Sequence, residues 1–161
     1  MSRIEKSIEV GVPVTTAYNQ WTQFEEFPRF MEGIDEVRQL DDTHLHWVAS
    51  VGGQRHEWDA EITEQRPDDR VAWRSIGGKG NAGVVTFHHL DQNRSKVMVQ
   101  MEWEAEGLLE QLGGALGADE RRVEGDLERF KKLIERRGVE SGAWRGEVEQ
   151  GQVTRGGGSA G

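Results

Sequence analysis

The sequence predicts an α+β domain in which a seven-stranded antiparallel sheet is covered on one face by a long C-terminal helix. Three observations carry this prediction. Between residues 34 and 103, short strand-like runs alternate with turn-forming residues at intervals of about ten residues. Several of these runs place apolar side chains at every second position, as in Trp58-Ala60-Ile62 and Val97-Val99-Met101-Trp103. Finally, Leu109, Leu112, Leu116, Val123, Leu127, Phe130 and Ile134 recur at helical intervals before Gly138.

Taken in order, residues 3–10 alternate Ile4, Ile8 and Val10 with charged neighbours and meet Gly11-Val12-Pro13, which reads as a strand and a turn. Val14, Ala17, Tyr18 and Trp21 follow at helical spacing behind Pro13, a residue suited to a helix start, so 14–23 is a short amphipathic helix. Phe24, Phe27, Phe30 and Met31 continue that spacing, but Pro28 interrupts it, so a second short helix or turn is expected before Gly33. Six strands come next, at 34–40, 45–51, 54–66, 71–76, 82–90 and 96–103. Their separators, such as Gly52-Gly53 and Pro67-Asp68-Asp69, are short and turn-forming, which implies antiparallel neighbours. The polar residues between the apolar ones, such as Asp59, Glu61 and Gln100, give the sheet one wet face, so the other must be covered. Gly113, Gly114 and Gly117 weaken the first part of the covering helix, predicting a short helix, a break near 117–119 and a main helix with Asp119 as its cap. The domain is expected to span 1–137. Residues 138–161 lack periodicity and end Gly-Gly-Gly-Ser-Ala-Gly, so they are expected to be a disordered tail, in which Trp144 is out of place.

Composition narrows the function. The 161 residues suffice for one domain, and the net charge of −9 disfavours nucleic acid and anionic membranes as partners. With no cysteine there are no disulfides and no thiol nucleophile. No apolar h-region stands at the N-terminus and no run approaches the roughly 18 apolar residues of a membrane helix. A cytoplasmic protein without membrane insertion, monomeric or dimeric, is expected. Six Trp and five Phe against one Tyr favour large apolar surfaces over phenol hydrogen bonding.

Several phrases are also familiar. Glu57-Trp58-Asp59-Ala60-Glu61-Ile62, Val71-Ala72-Trp73-Arg74-Ser75, Asn81-Ala82-Gly83-Val84-Val85-Thr86-Phe87 and Gly125-Asp126-Leu127-Glu128-Arg129-Phe130 are similar to runs in bacterial polyketide cyclase/dehydrase-like proteins. With the element order, they make the chain resemble the START-like (SRPBCC) superfamily over residues 1 to about 137. The resemblance implies a helix-grip fold, in which the sheet wraps the last helix and leaves an apolar cavity, and it implies a small hydrophobic ligand such as a polyketide-like aromatic or a lipid. The superfamily spans carriers, aromatase/cyclases and proteins without known activity, so fold alone does not choose among them.

The candidate ligand-binding residues are Phe27, Phe30, Trp47, Trp58, Trp73, Phe87, Met101 and Trp103, large apolar side chains expected on the concave side. His56 and Arg74 are the candidates for proton transfer or oxyanion stabilisation, although strand parity turns Arg74 away from Trp73 and outward. No cofactor is expected: Gly77-Gly78-Lys79-Gly80 lacks the phosphate-loop spacing. No metal is expected either, since His44 and His46 adjoin an acidic turn and His88 and His89 point to opposite faces. The charges of Glu120-Arg121-Arg122-Val123-Glu124, Glu128-Arg129, Lys131-Lys132 and Glu135-Arg136-Arg137 read as a solvated helix face with local ion pairs. The leading expectation is a carrier or sequestering module for a hydrophobic small molecule; a cyclase/dehydrase using His56 or Arg74 is the alternative, and a ligand-free interaction or stress-related protein the third.

Overall fold

The computed structural model describes residues 2–51, 53–76, 81–103 and 118–156. The elements run β1 (Ser2–Val10), α1 (Val14–Trp21), a 3₁₀ helix (Phe24–Arg29), β2 (Ile34–Asp41), β3 (His44–Val51), β4 (Gln54–Arg66), β5 (Arg70–Ile76), β6 (Asn81–Asp91), β7 (Arg94–Trp103), α2 (Ala118–Arg137), β8 (Glu147–Glu149) and β9 (Gln152–Arg155). Each of the seven expected strands is present, the largest displacement being at β7, which starts at Arg94 instead of 96. The helical run expected over 108–116 lies outside the described residues.

Strands β2 to β7 form an antiparallel meander, and β1 returns to pair with β7, giving the order β1-β7-β6-β5-β4-β3-β2. Seven strands at about 4.8 Å would make a flat sheet nearly 29 Å across. Yet side chains from all seven meet α2 around one cavity, which requires the sheet to curve about that helix. A register shift between Ile62 and Glu64 bends β4, the longest strand.

The core is fixed by aromatic side chains from α1 and the 3₁₀ helix. Trp21 packs edge-on to Phe130 of α2 at a centroid distance of 5.0 Å, and Phe30 lies 5.2 Å from the same ring. Phe24, Phe27, Ile62, Leu127 and Ile134 are buried in the same cluster. Pro28 is accommodated because it sits inside a 3₁₀ turn, which asks less of its nitrogen than a continuous α-helix would.

The C-terminal segment departs from expectation. Instead of lacking structure from 138 onward, residues 139–156 fold back as a strap on the same body. β8 pairs with β4 at Glu64 and Gln65, beyond the point where β3 has ended, and β9 pairs with β8. The cause is a few anchoring side chains that periodicity does not register. Trp144 packs on the core, Val148 is fully buried, and the Trp144 N–H donates to Thr22 Oγ1 at 3.0 Å. Arg145 donates to Asn19 Oδ1 and Asp68 Oδ1 and lies over the Tyr18 ring at 5.6 Å. Ser141 and Gln20 exchange two hydrogen bonds, which explains why a glutamine is tolerated almost wholly buried on α1. Residues 157–161 lie outside the described residues.

Candidate functional site

A cavity of about 150 Å³ lies between the sheet and α2. Period-two alternation places its wall. Trp58 and Ile62 of β4, Val71 and Trp73 of β5, and Val99 and Met101 of β7 face inward, while Asp59, Glu61, Arg74 and Gln100 take the other face. Trp21, Phe24, Phe27 and Met31 and, from α2, Val123 and Leu127 complete the wall.

Two tryptophans are set by pairing across strands. Trp47 and Trp58 are direct partners in the β3–β4 register, and their rings stack with centroids 5.8 Å apart and planes 6° from parallel. Trp73 is the direct partner of Gly83, and its ring lies where a side chain at that position would be. A Cβ on Gly83 would come within 2.7 Å of Trp73 Cη2, so the glycine is what lets the indole lie flat on the sheet. The same indole is held in plane by its Nε1–H, which donates to Asn81 Oδ1 at 2.9 Å. Trp47 Nε1 is buried and has no acceptor among the described residues.

Apart from Asn81, whose side-chain oxygen is taken up by the Trp73 indole, the wall is apolar except at one end. Glu32, Arg122 and Asp126 line it there, from the loop before β2 and from the second and third turns of α2. Asp126 accepts hydrogen bonds from the Glu32 backbone N–H at 3.0 Å and from the Arg129 guanidinium, which also donates to the Phe30 carbonyl oxygen at 2.8 Å. Burial nevertheless raises the Asp126 carboxyl above its usual acidity range, outweighing the hydrogen bonds and neighbouring arginines that act the other way. Arg122 lies against Gly33, a residue in the left-handed region at φ 83°, where a Cβ would stand 3.2 Å from Arg122 Nη1.

The structure brings together Phe27, Trp47, Trp58, Trp73 and Met101 on the cavity wall. Phe30 and Phe87 are instead core: Phe30 packs on Phe130 and Trp21, and Phe87 stands edge-on to Tyr18 at 5.3 Å. The side chain of Trp103 lies outside the described residues. Neither His56 nor Arg74 is among the described residues lining the cavity. His56 is the next inward position beyond Trp58, so along β4 the cavity ends at Trp58. Arg74 is exposed on the far face, with its guanidinium paired to Glu61 at 2.9 Å, as parity requires. His46 is bracketed on the outer face by Asp59 at 2.7 Å and Glu57 at 2.9 Å. Among the described residues no group of three or more His, Cys, Asp or Glu is arranged to hold a metal ion.

Arg122, expected on the wet face of the helix, and Asp126, to which the sequence assigns no role, are the ionisable residues of α2 on the cavity wall. Helical phase held the signal: Asp126 stands three after Val123 and four before Phe130, inside the buried stripe.

An antiparallel sheet gripping a C-terminal helix around an apolar cavity is the START-like helix-grip architecture. Solved structures of low sequence identity share it. A Deinococcus radiodurans protein, 24% identical, superposes with a TM-score of 0.68 over 86% of this chain and 100% of that one. An aromatase/cyclase, ZhuI, from Streptomyces sp. R1128 is 16% identical with a TM-score of 0.67, covering 88% and 98% of the two chains. A START superfamily protein from Mycobacterium smegmatis is 15% identical with a TM-score of 0.64, covering 84% and 95%. Residues 10–132 match the model of the family described as polyketide cyclase/dehydrase and lipid transport, and the chain belongs to that family. It is also 59% identical over 149 residues to an uncharacterized 17.2 kDa protein of the melC2-rnhH intergenic region in Streptomyces lincolnensis, covering 92% of this chain and 99% of that one. Among the described residues no helix is long and apolar enough to cross a membrane.

Proposed function

We propose that this protein binds a small hydrophobic molecule in the cavity between the sheet and α2 and acts as its carrier or sequestering module. The supporting observation is the cavity itself. A void of about 150 Å³ walled by Trp47, Trp58, Trp73, Ile62, Val99 and Leu127 forgoes packing contacts that a filled core would have. An occupant would recover them and remove its own apolar surface from water, at about 25 cal/mol per Å². The cysteine-free chain suits a cytoplasmic carrier. The test is native mass spectrometry of the protein purified from its own host, followed by organic extraction. The expected result is a co-purifying hydrophobic compound that is lost from the Trp58→Ala variant. A clean apo mass, with no stabilisation by a panel of aromatic compounds and lipids, counts against the reading.

A second reading, a cyclase/dehydrase, draws on one specific observation. Asp126 is a carboxyl on the cavity wall whose proton affinity is raised by burial, the property required of a general acid or base, with Arg122 beside it to steady a developing oxyanion. These two replace His56 and Arg74 in the catalytic roles. The discriminating experiment is turnover of an aromatic polyketide precursor with Asp126→Asn as control: product from the parent and none from the variant favours catalysis, and unchanged precursor bound by both favours the carrier.

A further inference from the structure

The cavity's size and its charged end together restrict what fits. Pockets for drug-sized molecules run to about 300–1,000 Å³, whereas an apolar cavity of about 150 Å³ is the size that takes up a single benzene ring. At about 150 Å³, this cavity belongs to the second class. A multi-ring or long-chain occupant would have to protrude from the cavity or displace the wall, and that wall is built of aromatic side chains locked by cross-strand pairing and by the Trp73–Asn81 hydrogen bond.

The polar end adds a second requirement. Among the described lining residues Arg122 is the one cation, and it shares the lining with two carboxylates, Glu32 and Asp126. Both carboxylates are already engaged by Arg129, which lies within 3.7 Å of Glu32 and donates to Asp126. The Glu32 side chain is also 69% exposed, so its charge is largely spent on water. Arg122 therefore supplies the positive charge at this end of the cavity. Its guanidinium is a planar fork of donors that matches a carboxylate, and it is half-buried, where such a match counts for more than at a wet surface. Gly33 keeps room for it, since a side chain there would push on Nη1.

We infer that the occupant is a single-ring aromatic acid, its ring held among Trp47, Trp73 and Leu127 and its carboxylate paired with Arg122. This rests on the reading of the cavity as a ligand site and names the chemistry of what that site takes.

Benzoate and nitrobenzene test it, because they are nearly the same shape and differ in charge. Their dissociation constants are measured by ligand-detected NMR on the full chain after removal of co-purified compounds, and again on Arg122→Met and Arg122→Gln. The expected result is benzoate bound at least about tenfold more tightly than nitrobenzene, with the preference lost in both variants while nitrobenzene affinity is retained. Raising salt should weaken benzoate alone, a comparison made on the parent protein that stands even where a variant does not fold. Equal binding of the two probes to the parent, or a preference that survives in both variants, overturns the inference and leaves the cavity as a site for neutral ligands. Binding of neither probe overturns the ligand site and the inference together.

Discussion

Gly83→Ala is the substitution through which the cavity wall is most directly probed. The added Cβ would lie 2.7 Å from both the Gln100 carbonyl oxygen on β7 and Trp73 Cη2 on β5. To reach an ordinary carbon–carbon separation of about 3.5 Å, the indole must retreat by roughly 0.8 Å, and the β6–β7 spacing must also give. Overfilling of this kind costs about 1–3 kcal/mol. The retreat also strains the Trp73–Asn81 hydrogen bond, worth about 1 kcal/mol more. The total expected loss is therefore about 2–4 kcal/mol, read from urea unfolding followed by far-UV circular dichroism. A double-mutant cycle isolates the indole's share: in a Trp73→Val background the clash with the ring disappears and only the contact with Gln100 remains. The cost of Gly83→Ala should then fall by at least about 1 kcal/mol. A Gly83→Ala protein within about 0.5 kcal/mol of the parent, or strict additivity with Trp73→Val, would refute the account of how this tryptophan is seated.

Other consequences follow from the strap and from the titrating groups. Burial pushes the Tyr18 phenol from 10.0 up to about 12. Between those values the unfolded chain has lost the proton and the folded one has kept it, so stability falls as pH rises, by up to about 3 kcal/mol; urea midpoints of Tyr18→Phe should lack that component. His46 is raised above 6.5 by Asp59 first and then Glu57, so its stabilisation is fully present below 6.5 and is lost as pH rises through the folded value. His46→Gln should flatten that limb of the pH–stability curve, and an NMR titration of the imidazole at or below 6.5 would contradict the assignment. Ending the chain at Gly138 removes Trp144, Arg145 and Val148 together and is expected to cost roughly 3 kcal/mol or more, the scale of losing one large buried side chain; an unchanged thermal midpoint would show that the strap is not an integral part of the body.

Strand positions were legible because the alternation of apolar and polar side chains and the turn residues agreed with each other, as in β4, where Trp58, Ala60 and Ile62 fall between polar neighbours. The same alternation gave Trp47, Trp58, Trp73 and Met101 their inward face. It did not separate cavity wall from filled core, since Phe30 and Phe87 have the same chemistry as Phe27 and differ only in which neighbours pack against them. The strap was illegible for a related reason. Its attachment depends on single contacts to residues more than a hundred positions away, such as Trp144 to Thr22 and Ser141 to Gln20, and such contacts leave no local period. Charge obscures phase at Arg122 and Asp126: Arg122 borders the apolar stripe of α2 with a long side chain, and Asp126 lies within it, its carboxyl satisfied by the Glu32 N–H and the Arg129 guanidinium.

The measurement that bears most directly on the cavity as a ligand site is the uptake of toluene by the purified full chain, observed by NMR, in the parent and in Val99→Phe. Val99 lines the cavity, so the added ring should occupy the void and abolish uptake while the protein keeps its fold; the same change at Val97, which is fully buried in the neighbouring core, should instead overpack and destabilise by about 1–3 kcal/mol. Toluene bound by the parent and by Val97→Phe where it folds, but excluded by Val99→Phe, is the predicted result. No uptake by the parent, or equal uptake by parent and Val99→Phe, would contradict it.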